Sequence, residues 1–163
     1  MLKTLGSALA VLVLLLTPAP ARAQAVHLTV IVGLAGDPEH AVLFDRWAGT
    51  LVDAATGRMA IPRAQVRYLT EHPEADAARA TGKSSREEIG KAFAALAATA
   101  KPEDVVFVVL IGHGTFDGRV AKFNLPGPDM TPADFAPLLK GLASRHVVFV
   151  DTASASGPFL EEL

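Results

Sequence analysis

The most constraining feature of this sequence is the run "DVVFVVLIGHG" at residues 104–114. Residues 105–111 are all Val, Phe, Leu or Ile, which is typical of a β-strand buried on both faces inside a parallel sheet. Two similar apolar runs, "VHLTVIVGLAG" (26–36) and "HVVFVD" (146–151), precede and follow it. Strands of this kind need helices over both faces of their sheet, so the chain is predicted to fold as an α/β protein.

The segments between these strands have helical spacing. Residues 38–57 begin with a proline, repeat apolar residues every three to four positions and end at a glycine. Residues 83–100 and 131–144 predict two more helices, and residues 64–71 predict another strand. The residues expected to face the core are Leu43, Trp47, Leu51 and Ala54 on the first helix and Ile89, Phe93, Leu96 and Ala97 on the second. The alternation of strands and helices favours a three-layer fold with a mostly parallel sheet and helices on both faces.

The first 23 residues have a different character. Lys3 precedes an apolar run at residues 8–16, and "ARA" at residues 21–23 precedes Gln24. This order is typical of a secretory signal peptide. The apolar run is shorter than the roughly 20 residues that a membrane-spanning helix needs. We therefore expect a bacterial protein exported to the periplasm or the exterior, whose mature domain covers residues 24–163 and does not span the membrane.

Composition excludes several classes of function. The chain has 15 Lys and Arg against 17 Asp and Glu and no long run of like charge, so it is not expected to bind nucleic acid. It contains no cysteine, which excludes both disulfides and a thiol nucleophile. Its five histidines show no paired spacing such as H-x-x-x-H, so no catalytic metal is expected. The turn "GLAGDPEH" (33–40) lacks the lysine of a phosphate-binding loop, and no cofactor is predicted.

Two of the predicted strands end in residues that can carry chemistry. His113 lies between Gly112 and Gly114 after one strand, and Ser154 lies in "TASASG" (152–157) after the last. The carboxyl ends of parallel strands meet at one edge of the sheet. A histidine there can take a proton from a hydroxyl group, provided the two come within hydrogen-bond distance. The flanking glycines are expected to allow a sharp turn and to leave room for a substrate.

The same residues also have a structural interpretation. His113 could be a turn histidine whose ring bonds to a backbone carbonyl, and the hydroxyls of Ser154 and Ser156 could cap the following helix. The G-x-S-x-G pattern of an α/β-hydrolase nucleophile is absent. Local sequence therefore leaves both the catalytic and the structural interpretation open.

The succession of "VVFVVLIGHG" and "VVFVDTASASG" resembles the caspase and legumain superfamily of cysteine endopeptidases. In that family a histidine follows an apolar strand in a His-Gly turn, and the cysteine follows the next strand in patterns such as E-A-C-x-S-G. The resemblance spans residues 26–159 and implies a caspase-like fold that acts on a peptide or protein. It implies His113 as general base, Ser154 at the cysteine position, and an oxyanion site at the amides around Gly114 and Ser154. It also suggests that Asp37, His40 and Asp117 line the substrate pocket.

The sequence departs from the family pattern in two ways. Serine replaces cysteine, and a serine hydroxyl needs a base that is itself held by an orienting group. Asp117 and Asp151 are the nearby carboxylates, but sequence places neither of them beside His113. Family members also continue through further strands, so we expect this fold to be incomplete and one sheet edge to be exposed. Two hypotheses follow, a serine variant of the peptidase or an inactive pseudopeptidase that binds peptides or acts as a scaffold.

Overall fold

The computed structural model describes residues 24–143 and 145–163. The signal peptide predicted for residues 1–23 lies outside the described residues. The elements in chain order are β1 (Val26–Val32), α1 (Pro38–Thr56), β2 (Val66–Thr70), β3 (Gly82–Lys83), α2 (Arg86–Thr99), β4 (Val105–Ile111), β5 (Gly114–Phe116), β6 (Ala121–Phe123), α3 (Pro132–Lys140), β7 (His146–Asp151) and α4 (Gly157–Glu162). Short 3₁₀ turns at Arg63–Gln65 and Pro73–Asp76 flank β2.

Five of the strands form one parallel sheet in the order β3-β2-β1-β4-β7. The strand with the most apolar sequence, β4, lies between β1 and β7, as its composition predicts. β5 and β6 form a separate antiparallel hairpin that begins immediately after His113. The predicted α/β class with a parallel sheet is confirmed.

Helices cover both faces of the sheet. On one face, α1 packs on Val30 of β1 and Tyr68 of β2, both of which are fully buried. On the other face, α2, α3 and α4 bury a second core that contains Phe93, Phe135 and Phe159. The rings of Phe135 and Phe159 lie 6.0 Å apart, so aromatic packing joins α3 to α4. This is the predicted three-layer arrangement.

The buried stripe of α1 differs from the predicted one by a single position. Its buried side chains are Phe44, Ala48, Val52 and Ala55, whereas Leu43, Leu51 and Ala54 are only partly buried. The predicted burial of Trp47 is wrong, because its side chain is 49% exposed. Small alanines let the helix approach the sheet closely, and the indole lies at the margin against the ring of Phe44. On α2 the predicted burial of Phe93 is confirmed.

The hairpin of β5 and β6 is held against the ends of β1 and β4. Leu34 donates its N–H to the carbonyl of Asn124 at 2.9 Å, and Asn124 donates to the carbonyl of His113 at 3.0 Å. The fully buried ring of Phe123 packs over Gly33 and Gly112. The structure pairs Ala121–Phe123 with Gly114–Phe116, so the histidine turn leads directly into the hairpin.

In the part of the chain that the structure describes, no helix combines the length and the apolar character needed to cross a membrane.

Candidate active site

His113 lies at the carboxyl end of β4 with its ring bonded to the main chain. Its Nε2 atom is 3.1 Å from the carbonyl oxygen of Ala35, in the loop after β1. A carbonyl can only accept a hydrogen bond, so Nε2 must carry the proton and donate it. Nδ1 of the neutral ring then holds a free lone pair and can act as a base.

Asp37 and His40 lie beside this histidine. The rings of His40 and His113 are 4.6 Å apart in an edge contact, and the ring of Phe44 contacts His113 at 5.2 Å. The Oδ2 atom of Asp37 is 2.7 Å from Nδ1 of His40. Two of the three residues that the resemblance assigned to a substrate pocket therefore lie beside His113, His40 in direct contact and Asp37 through His40.

Ser154 lies in the loop between β7 and α4, with its side chain exposed. The loop is next to the histidine turn, since a Cβ atom added to Gly114 would lie 3.1 Å from the Cβ of Ala153 and 3.1 Å from the amide nitrogen of Ala155. These two alanines flank Ser154 on either side. A shallow cavity of about 430 Å³ opens there, lined by Gly114, Phe116, Ser154, Ala155, Gly157 and Pro158. No hydrogen bond joins His113 to Ser154 among the described residues.

The glycines around His113 are needed for close packing. Neither Gly112 nor Gly114 has a positive φ. The space beside Gly112 is filled by Phe123 and Gly33, whereas Gly114 is needed where the Ser154 loop approaches. The bond from Asn124 to the His113 carbonyl makes Gly114 and Phe123 a non-hydrogen-bonded pair, so the Gly114 N–H points away from β6. This amide therefore makes no hydrogen bond to β6.

The two candidate carboxylates have other roles. Asp117 accepts hydrogen bonds from the amides of Val120 and Arg119, which hold its pKa below the ordinary value. Asp151 accepts from the amide of Ala153 at 2.9 Å, and its Oδ2 atom is buried without a hydrogen-bond partner. Burial raises the pKa of Asp151 above its ordinary value. Neither carboxylate orients His113, and the main-chain carbonyl of Ala35 does so instead.

The structure bears differently on the structural interpretations of Ser156 and His113. Ser156 is the N-cap residue of α4, but its side chain makes no capping hydrogen bond. The bond from His113 to Ala35 is the one expected of a structural turn histidine, and it is also the one that a base requires. The close approach of Gly114 to both neighbours of Ser154 is an additional feature that a structural role for His113 does not need.

Among the described residues, no group of three or more His, Asp or Glu side chains converges in a way that could hold a metal ion. A scan of protein-family models gives no match for the chain, and a search of curated protein sequences gives no match either.

Proposed function

We propose that this chain is an exported, caspase- or legumain-like peptidase domain that hydrolyses peptide bonds with His113 and Ser154. The observation that carries the proposal is the close approach of Gly114 to Ala153 and Ala155, which leaves almost no room for a Cβ atom and brings the histidine turn and the serine loop side by side at one sheet edge. The bond from His113 to Ala35 supports it, because that bond leaves Nδ1 as the basic atom. The export part rests on the sequence of residues 1–23 alone.

The reaction follows from these groups. The Oγ atom of Ser154 attacks the carbonyl carbon of the peptide while Nδ1 of His113 takes the hydroxyl proton. The amides of Gly114 and Ser154 stabilise the oxyanion of the tetrahedral intermediate. His113 then gives its proton to the leaving amine, and water hydrolyses the acyl-serine ester with His113 again as base.

The orienting group limits the expected rate. A neutral carbonyl holds the ring of His113 in place, but it stabilises the imidazolium of the transition state less than an aspartate does. We therefore expect slower turnover than a Ser-His-Asp triad supports.

A second candidate function is an inactive member of the same fold that binds extended peptides. It is favoured by the absence, in the described residues, of a hydrogen bond between His113 and Ser154 and of a carboxylate on the His113 ring. In this case the cavity beside Ser154 would hold a peptide without cleaving it.

Cleavage of a mixed peptide library by the full chain and three variants tests the proposal. The variants are Ser154→Ala, Ser154→Cys and His113→Ala, with Ser156→Ala as a control in the same loop. We expect cleavage by the natural protein and by Ser156→Ala, and loss of cleavage in Ser154→Ala and His113→Ala. Cleavage only by Ser154→Cys would instead support the inactive binding module, and cleavage that survives Ser154→Ala would overturn the role of this serine.

A further inference from the structure

We propose that Asp37 and His40 form a positioning pair that holds the ring of His113 in the plane from which its Nε2–H reaches the carbonyl of Ala35. The inference deepens the proposed function and rests on it, because it concerns how the base of that reaction is kept ready. The direct contact to His113 is made by His40, and Asp37 acts through His40.

Asp37 holds His40 at two points. Its Oδ1 atom accepts the backbone N–H of His40 at 2.9 Å, and its Oδ2 atom accepts from the ring Nδ1 at 2.7 Å. These bonds, the backbone bond above all, lower the pKa of Asp37, so it stays a carboxylate at neutral pH. A ring fixed through both its main chain and its side chain loses little further entropy when it packs on a neighbour.

The fixed ring of His40 then restricts the ring of His113. His40 contacts it at an interplanar angle of 65°, and Phe44, one helical turn later, contacts it at 64°. Tilting of the His113 ring out of its plane would break both edge contacts. A 180° flip keeps that plane but puts Cε1 in place of Nε2 opposite the carbonyl of Ala35, so it loses the hydrogen bond. The first two turns of α1 therefore hold the plane of the ring, and within that plane the Ala35 carbonyl selects the orientation with Nε2–H toward it.

The acceptor of that bond is also held in place. The N–H of Ala35 donates to the Oε2 atom of Glu71, at the end of β2, at 3.3 Å. The loop from Ala35 to Asp37 is thus tied at one end to β2 and at the other to the N-terminus of α1. His113 lies between the two ends and bonds to one while it packs against the other.

The tautomer of His113, measured by ¹⁵N NMR of the labelled full chain, tests this inference without requiring any hydrolysis. We expect His113 of the natural protein to be mainly protonated at Nε2 when neutral. His40→Ala should give a mixture of the two tautomers. Asp37→Ser should shift the tautomer ratio of His113 in the same direction, because a serine can still cap α1 but cannot also hold the His40 ring.

Two controls separate positioning from a general loss of structure. Ser85→Ala removes the N-cap of α2, whose hydroxyl accepts from Glu88, and should leave the His113 signals unchanged. The exposed His72, which lies 3.2 Å from Glu74, should keep its signals in all variants. Should His40→Ala prove unfolded, His40→Phe takes its place. Phenylalanine keeps an aromatic edge and loses only the bond to Asp37, so the tautomer ratio of His113 is expected to change part of the way.

An unchanged tautomer of His113 in a folded His40→Ala or His40→Phe variant would overturn the positioning pair. If the peptidase assay is positive, His40→Ala should also lower kcat by roughly tenfold with little change in KM, since only the fraction of enzyme with the correct tautomer reacts. If hydrolysis is absent but the tautomer responds, the positioning holds and the proposed catalysis fails. The two failures are therefore distinguishable.

Discussion

At the scale of single residues, a buried carboxylate joins two strands at the edge opposite the candidate active site. Asp104 is only 3% exposed and lies 3.2 Å from Nε2 of the buried His27. Its carboxylate also accepts the amides of Lys101 at 2.8 Å and Ala25 at 3.1 Å. One side chain therefore satisfies three donors and joins the start of β1 to the start of β4.

Asp104→Ala should lower the free energy of unfolding by about 2–4 kcal/mol, because it leaves buried donors without an acceptor. Urea denaturation followed by circular dichroism measures this loss. Asp53→Ala is the matched control, since Asp53 pairs with Arg79 on an exposed surface and should matter far less. Equal losses in the two variants would contradict the role given to Asp104.

The same carboxylate should make stability depend on pH. The hydrogen bond from Lys101 is the main cause that lowers the pKa of Asp104 below its ordinary value of 3.8, although burial opposes it. A carboxyl group with a lowered pKa contributes stability above the unfolded-state value and loses it as pH falls through the folded-state value. The free energy of unfolding, measured from pH 7 to pH 3, should therefore begin to decrease once the pH drops below about 4.

Asp104→Asn removes that titration and should flatten the acid limb of the profile. An acid limb of unchanged slope in this variant would assign the pH dependence to other carboxylates.

At the scale of elements, the hairpin of β5 and β6 links the fold to the site. A Cβ atom added to Gly33 would lie 2.4 Å from the carbonyl oxygen of Asn124 and 2.9 Å from the ring of Phe123. Asn124 in turn donates to the carbonyl of His113. The packing of the hairpin against the ends of β1 and β4 therefore helps to set the position of His113, the candidate base.

Gly33→Ala should destabilise the protein by about 2 kcal/mol or more, because backbone must move to admit a methyl group. Gly90→Ala is the matched control in the middle of α2, where an added Cβ meets nothing within 4 Å. That substitution should stabilise the protein by about 0.5–1 kcal/mol through better helix propensity. Thermal unfolding of both variants measures the difference. A Gly33→Ala variant of unchanged stability would show that the hairpin is not tightly packed against Gly33.

At the scale of the whole molecule, β7 is an edge strand within the described residues. His146 and Thr152 donate their N–H groups toward β4, to the carbonyls of Asp104 and Leu110. Successive residues of a strand bond alternately to one side and the other, so the N–H and C=O groups of residues 147, 149 and 151 face away from β4. Val148 and Val150 are 40% and 38% exposed on one face of this edge. An apolar groove of about 580 Å³ runs along β7 and α4, with Phe149 and Leu160 among its lining residues.

An edge with no charged residue between His146 and Asp151 invites association with other chains. Val148→Lys should therefore reduce concentration-dependent association, as measured by sedimentation velocity over a range of protein concentrations. Val42→Lys adds the same charge at a valine that is 69% exposed on α1, away from this edge. If both variants reduce association equally, net charge and not the β7 edge governs the association of the protein.

Much of this architecture could be predicted from local patterns. The strands at 26–32, 66–70, 105–111 and 146–151, and the helices between them, follow from apolar runs, helical spacing and caps, all of which are properties of short segments. The two-residue β3 has no such pattern, because it exists only by pairing with β2. The stripe on α1 was predicted one position away, because both sets of residues are apolar and only packing against the sheet chose between them.

By itself, the sequence determined the class of fold and placed His113 and Ser154 at the ends of two parallel strands. Tertiary structure alone decided what surrounds them. The acceptor for His113 is a main-chain carbonyl of Ala35, which every residue type carries and which no side-chain pattern can reveal. The contact with His40 and the approach of Gly114 to the Ser154 loop likewise join segments far apart in the chain, and only the packing of the complete sheet brings them together.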